Sequence, residues 1–184
     1  MNLALVEAAR SGDEEAFASI ARGSADRLFA VAYRIVRDVG RAEDAVQQTL
    51  VTAWRELPAL READRFEAWL HRILVHACYA EAKRASKWSA NVVALPVDGP
   101  ATPDSTQSIV TRDALDRGFR RLSTDHRAVI VLYHYLGLSL TESADALGIP
   151  LGTMQSRLNR ATRLMRASIE ADERSPELAG QGTR

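Results

Sequence analysis

Near the end of this 184-residue sequence, Gln155, Ser156, Arg157, Asn159, Arg160 and Arg163 recur at spacings that keep them together on the outer side of a helix. The opposite side of that helix would carry Met154, Leu158, Ala161 and Met165. Arginine presents a planar fork of donors that fits guanine edges or phosphates, and glutamine or asparagine pairs with adenine. A helix with this outer face has the chemistry to lie in a major groove of DNA. Basic helices that merely face solvent share that composition, so the assignment depends on what precedes the helix.

What precedes it is a second helix and a tight turn. Ser139 can cap a helix starting near Leu140, and Glu142 three residues later can return the bond, which forms a capping box. Leu140, Ala144 and Leu147 then share one face, and Gly148 is the residue most tolerant of the left-handed conformation that ends a helix. The turn runs through Ile149 and Pro150, and Gly152 and Thr153 open the basic helix, placing Thr153 at the head of the DNA-facing set. Helix, glycine turn and basic helix make a helix-turn-helix. Repressors and response regulators use the same module, so the motif alone does not choose among them.

Other chemistries find little support. His71, His76, His126 and His134 lack the His-Glu-x-x-His spacing of a zinc protease, and neither a P-loop nor a Gly-x-Ser-x-Gly elbow occurs. With Cys78 the single cysteine, no intramolecular disulfide or cysteine-based zinc framework can form. The expectation is a protein that is not an enzyme and carries no cofactor. No apolar run approaches the ~20 residues that span a bilayer, and the N-terminus lacks a basic segment followed by a long apolar one. Membrane insertion is not expected, and a reducing cytoplasm is the simplest location.

Charge balances overall, with 24 basic and 24 acidic residues, so any DNA-binding surface must come from segregation along the chain. Segregation is visible. Residues 1–64 hold eight Arg/Lys against eleven Asp/Glu, residues 65–87 hold five against two, and residues 151–169 hold four against none. Two basic helices in a neutral or acidic chain suit contact with DNA at two places.

Periodicity and breakers predict an all-α chain of two small helical domains joined by a flexible linker. The first covers residues 1–87. It has a short helix over Leu3 to Arg10, a long one capped by Asp13 that Gly23-Ser24 could interrupt, a third from Arg41 to about Leu57, and a fourth after the polar stretch Ala59 to Asp64. The third should turn Ala42, Ala45, Val46, Thr49, Leu50, Ala53 and Trp54 inward and Asp44, Gln47, Gln48 and Arg55 outward. Proline, glycine and polar residues crowd the linker, 88–110. The second domain covers residues 111–170, and residues 171–184 read as a disordered tail.

Asp44-Ala45-Val46-Gln47-Gln48-Thr49-Leu50 with Trp54, followed by Phe66-Glu67-Ala68-Trp69-Leu70-His71-Arg72-Ile73, resembles region 2 of bacterial sigma factors. The stretch from Gly137-Leu138-Ser139 through Arg160-Ala161 resembles region 4. With only these two motifs and a short linker, the chain resembles the extracytoplasmic-function (ECF) group of the sigma-70 family.

The resemblance implies a protein that binds core RNA polymerase, directs it to promoter DNA and helps to melt it. It implies that Asp44, Gln47 and Gln48 meet the β′ clamp and that the polymerase β flap is a second contact. It further implies that Thr153, Gln155, Ser156, Arg157, Asn159, Arg160 and Arg163 meet the upstream promoter element. The downstream element falls to Arg61, Glu62 and Asp64 in the loop after the third helix, and to His71, Arg72, Lys83 and Arg84 on the fourth. An anti-sigma factor is an implied regulatory partner. Ser143 stands where the family usually packs isoleucine or valine, which puts a hydroxyl in a buried site at a cost of ~1 kcal/mol or more. The alternative is a stand-alone helix-turn-helix regulator that binds operator DNA.

Overall fold

The computed structural model describes residues 2–89 and 115–179, and among these every regular element is helical. The elements are α1 (Leu3–Arg10), α2 (Glu14–Val36), α3 (Val39–Glu56), two short 3-10 turns (Leu57–Ala59 and Ala63–Arg65), α4 (Phe66–Ser89), α5 (115–121), α6 (Thr124–Ile130), a π turn (Val131–Tyr135), α7 (Leu140–Leu147) and α8 (Leu151–Ala179). Apart from residues 88 and 89, which end α4, the expected linker 88–110 lies outside the described residues, as does 180–184.

The starts of α1, α2 and α3 are each fixed by a local cap. Asn2, Asp13 and Asp38 accept backbone N–H bonds from Ala4, Ala16 and Arg41, which satisfies donors that the first turn leaves without partners. Asp38 therefore starts α3 at Val39, two residues before the sequence-based expectation. Gly23-Ser24 does not interrupt α2. Ser24 is buried and donates its hydroxyl to the Ile20 carbonyl at 2.7 Å, so the polar group is satisfied without leaving the helix. α2, α3 and α4 pack on one another with α1 along α2. Leu28, Val31, Ile35, Ala42, Ala45, Ala53, Phe66, Leu70 and Leu74 fill the space between them.

The second unit is built around α8. Met154, Leu158, Ala161 and Met165 are all buried, as the spacing requires. α5 crosses this stripe closely enough that a Cβ on Gly118 would lie 2.8 Å from the Met165 sulfur, so the glycine makes room for the contact. Ser123 caps α6. The capping box on α7 is complete: Ser139 Oγ accepts from the Glu142 N–H at 3.2 Å, and the Glu142 carboxylate accepts from the Ser139 N–H at 2.8 Å. Gly148 ends α7 with φ 63°. Residues 171–179, expected as disordered tail, continue α8 as helix. That run holds Ala171, Glu173, Arg174, Glu177, Leu178 and Ala179, which favour helix, and it contains Pro176, which does not.

The two units are in contact. α4 packs on α7, the C-terminal part of α2 meets α6 and the π turn, and the buried apolar residues of both units join in one cluster.

Ser143 sits wholly buried on α7, and its hydroxyl has no hydrogen-bond partner. Replacing it with alanine removes an uncompensated polar group while leaving almost no cavity. Ser143→Ala is expected to stabilise the chain by about 1 kcal/mol, read as a higher urea midpoint at unchanged slope. An unchanged or lower midpoint would show that the hydroxyl is satisfied in solution.

Candidate nucleic-acid and polymerase interface

Burial of one face of α8 fixes what the other face offers. Gln155, Asn159 and Arg163 form one row at four-residue spacing, Ser156 and Arg160 form the adjacent row, and all five are exposed. Thr153, at the start of the helix, is half-buried. The first row borders an open groove of about 630 Å³ whose far side is Tyr133, His134 and Leu140. α8 has no acidic residue in its first turn, so the positive end of the helix dipole and the arginines act in the same direction on an approaching phosphate.

Arg157 differs from its neighbours. Its Nη1 lies 3.4 Å from Oδ2 of Asp125 on α6, and its side chain is 32% exposed. Tyr79 of α4 buries its hydroxyl near the same carboxylate without reaching hydrogen-bond geometry. Burial first, then the Asp125 charge, pushes that phenol far above the ordinary tyrosine range. Arg157 is thus engaged within the protein, not part of the free outer rows.

A second polar surface lies after α3. Arg61, Glu62 and Asp64 are exposed, and Glu62 is ion-paired with Arg65. Leu57 and Ala63 are buried and pin the loop at two points. Arg10 of α1 braces it from outside by donating Nη1 to the carbonyls of Leu60 and Arg61, both at 3.2 Å. Arg72 and Lys83 are exposed on α4, while Arg84 is paired with Glu81 at 2.6 Å.

His71 does not belong to this surface. It is 6% exposed, because α2 as well as α3 packs on α4 and widens the buried face beyond a single stripe. Its imidazole pKa is lowered, by burial first and by the Arg27 charge next, with Glu67 acting the other way. The unfolded chain therefore binds this proton more readily than the fold does. Stability conferred by neutral His71 is full above its ordinary pKa of about 6.5 and declines as pH falls through that value. His71→Leu is expected to flatten the loss of thermal midpoint between pH 7 and pH 5; an equal loss in both proteins would assign acid sensitivity elsewhere.

A third surface is the outer side of α3, where Asp44, Gln47 and Gln48 are exposed. Gln48 Nε2 donates to Thr52 Oγ1 at 3.2 Å. Val51, exposed at 40%, continues the line from Asp44 and Gln47 and places an apolar side chain among polar ones. Trp54 packs against Phe17 at 4.9 Å and Trp69 against Phe66 at 5.6 Å, so both rings belong to the packed faces.

Comparison with known proteins assigns the chain to a family. The family description Sigma-70 region 2 matches residues 20–88, and Sigma-70, region 4 matches residues 112–165. The ECF RNA polymerase sigma factor SigL of Mycobacterium tuberculosis is 35% identical over 170 residues, covering 87% of this chain and 94% of the relative. The chain belongs to the ECF sigma factors. SigW of Bacillus subtilis, with the same description, is 26% identical over 89% of this ECF sigma factor and 94% of its own length. CnrH, solved in complex with the cytosolic domain of CnrY, is similar at a TM-score of 0.64 and 26% identity, over 92% of this chain and 97% of that one. RpoE of Bartonella quintana, solved with the anti-sigma factor NepR, is similar at 0.63 and 26% identity, over 80% and 92%.

Sigma factors are transcription initiation factors, and the helix-turn-helix of this one lies inside its region 4 match. No helix among the described residues is long and apolar enough to cross a membrane. Arg10 lies before the region 2 match, and no local spacing signals its role, because the carbonyls it braces are about fifty residues away. Val51 was accessible to sequence reasoning through its four-residue offset from Gln47.

Proposed function

We propose that this ECF sigma factor docks on the β′ clamp of core RNA polymerase through Asp44, Gln47, Gln48 and Val51, and meets the β flap through its region 4 unit. Gln155, Ser156, Asn159, Arg160 and Arg163, headed by Thr153, meet the upstream promoter element. Arg157 holds α8 against α6 and supports the readers without joining them. Arg61, Glu62 and Asp64, in the loop braced by Arg10, meet the downstream element as it opens, while Arg72, Lys83 and Arg84 line the path of the strands. His71 takes no part in that contact. The chain works in the cytoplasm, without a catalytic step of its own.

The observation that carries this reading is the two-row face of α8, polar and exposed on a helix whose other side is wholly packed. Its partners would include an anti-sigma factor, as RpoE of Bartonella quintana has NepR. Photo-crosslinkers placed at Asn159 and at Arg61 test the residue assignments in the complex with core polymerase and a promoter fragment. The expected products are an upstream duplex adduct from position 159 and a downstream single-strand adduct from position 61. Adducts from both positions to one element, or to neither, would overturn the assignment.

A further inference from the structure

Val6 and Ala9 are buried, which anchors α1 on α2, and the same helix touches both 3-10 turns that follow α3. Its last residue, Arg10, is set from two sides. Nη2 is paired with Oε2 of Glu7, one turn back, at 2.7 Å, and this bond orients the guanidinium plane. Nη1 is left to the loop, where the carbonyls of Leu60 and Arg61 both accept from it at 3.2 Å. With the side chain only 31% exposed, these charge-assisted bonds are partly sheltered from water.

Those two carbonyls belong to the part of the loop with the least support of its own. Leu57 and Ala63 are buried and fix the ends. The backbone bonds from Leu60 to Leu57 and from Arg65 to Glu62 each close a single turn. Among the described residues, Arg10 is the one residue outside the loop that hydrogen-bonds to Leu60 or Arg61. A trans peptide places its N–H opposite its carbonyl, so turning these carbonyls toward α1 turns the N–H groups of Arg61 and Glu62 away from it. One cation thus fixes two successive peptide planes, and with them the backbone from which the Arg61 and Glu62 side chains leave. An extruded base is read by hydrogen bonds, and groups already in place need no ordering at the moment of capture.

We propose that Arg10, oriented by Glu7, is a positioning residue for base selection at the downstream element: by fixing the Leu60 and Arg61 peptides it sets which base the loop accepts as the duplex opens. The proposal rests on the reading of loop 61–64 as the downstream contact. A cation that merely favoured the C-terminal end of α1 would leave base selection untouched.

The test uses the full-length chain assembled with core polymerase on a promoter fragment recovered with it by run-off transcription. A 2-aminopurine beside the downstream element reports opening, and each downstream base pair is replaced in turn. In the parent complex, replacing the captured base is expected to slow opening by roughly five- to 150-fold. Arg10→Met keeps an apolar stem but has no donors. It should reduce that ratio to about two-fold or less, at that position alone, with affinity for core polymerase unchanged. Arg10→Lys keeps a cation able to donate to both carbonyls and should restore most of the discrimination. Discrimination kept in Arg10→Met, or lost in Arg10→Lys as well, would overturn the proposal. Loss that comes only with a fall in core-polymerase affinity would assign Arg10 to folding and overturn it too. Replacing Arg61, Glu62 and Asp64 together with alanine tests the underlying reading separately. If that chain discriminates as the parent does, the loop reading falls; discrimination lost there but kept in Arg10→Met overturns the positioning role alone.

Discussion

Arg160→Ala is expected to weaken recognition of the upstream promoter element by about 1 to 3 kcal/mol, roughly five- to 150-fold, while leaving affinity for core polymerase intact. Arg160 is exposed in the middle of the α8 face, next to Ser156, so its removal deletes a forked donor without disturbing the packed stripe beneath. The measurement is competition between fragments carrying the native and a scrambled element for the polymerase complex. Loss confined to the native fragment marks a base contact; equal loss on both, with a shallower salt dependence, marks a phosphate contact. No loss on either would remove Arg160 from the interface. Arg157→Ala should behave differently, since it frees Asp125 and lowers the unfolding midpoint before it touches DNA.

Asp44→Ala combined with Gln47→Ala should do the reverse. The two residues project from one face of α3, and truncation at the centre of a protein interface commonly costs about 2 kcal/mol, roughly thirty-fold in affinity. Binding of labelled core polymerase should fall by that order, while the affinity of the chain for upstream-element DNA stays constant. Both side chains are exposed, so the fold should persist. If polymerase binding held while DNA binding fell, the assignments of α3 and α8 would be exchanged. Equal loss of both activities in this variant and in Arg160→Ala would point to unfolding.

Local chemistry was legible in the sequence, and remote chemistry was not. The capping box of Ser139 and Glu142 and the left-handed Gly148 involve residues within a few positions of one another, so their geometry is written in the spacing. The inward and outward sets of α3 follow from one helical period because that helix buries a single stripe. α4 breaks the rule. Packed by α2, α3 and α7, it buries His71 along with the stripe, which no one-face reading anticipates. Arg157 reads as an outward base contact until Asp125, thirty-two positions earlier, is seen to hold it. Arg10 exerts its effect on a loop that only the tertiary fold brings near. Ser24 shows the converse case: a glycine-serine pair that signals a break is absorbed once its hydroxyl finds the Ile20 carbonyl.

The most direct test of the central claim is run-off transcription from a pool of genomic fragments with purified core polymerase, with and without this chain. The account requires new start sites that appear only when the chain is present, share paired upstream and downstream elements, and are lost with Arg160→Ala. Sequence-specific DNA binding with no new initiation would contradict it and indicate a stand-alone regulator.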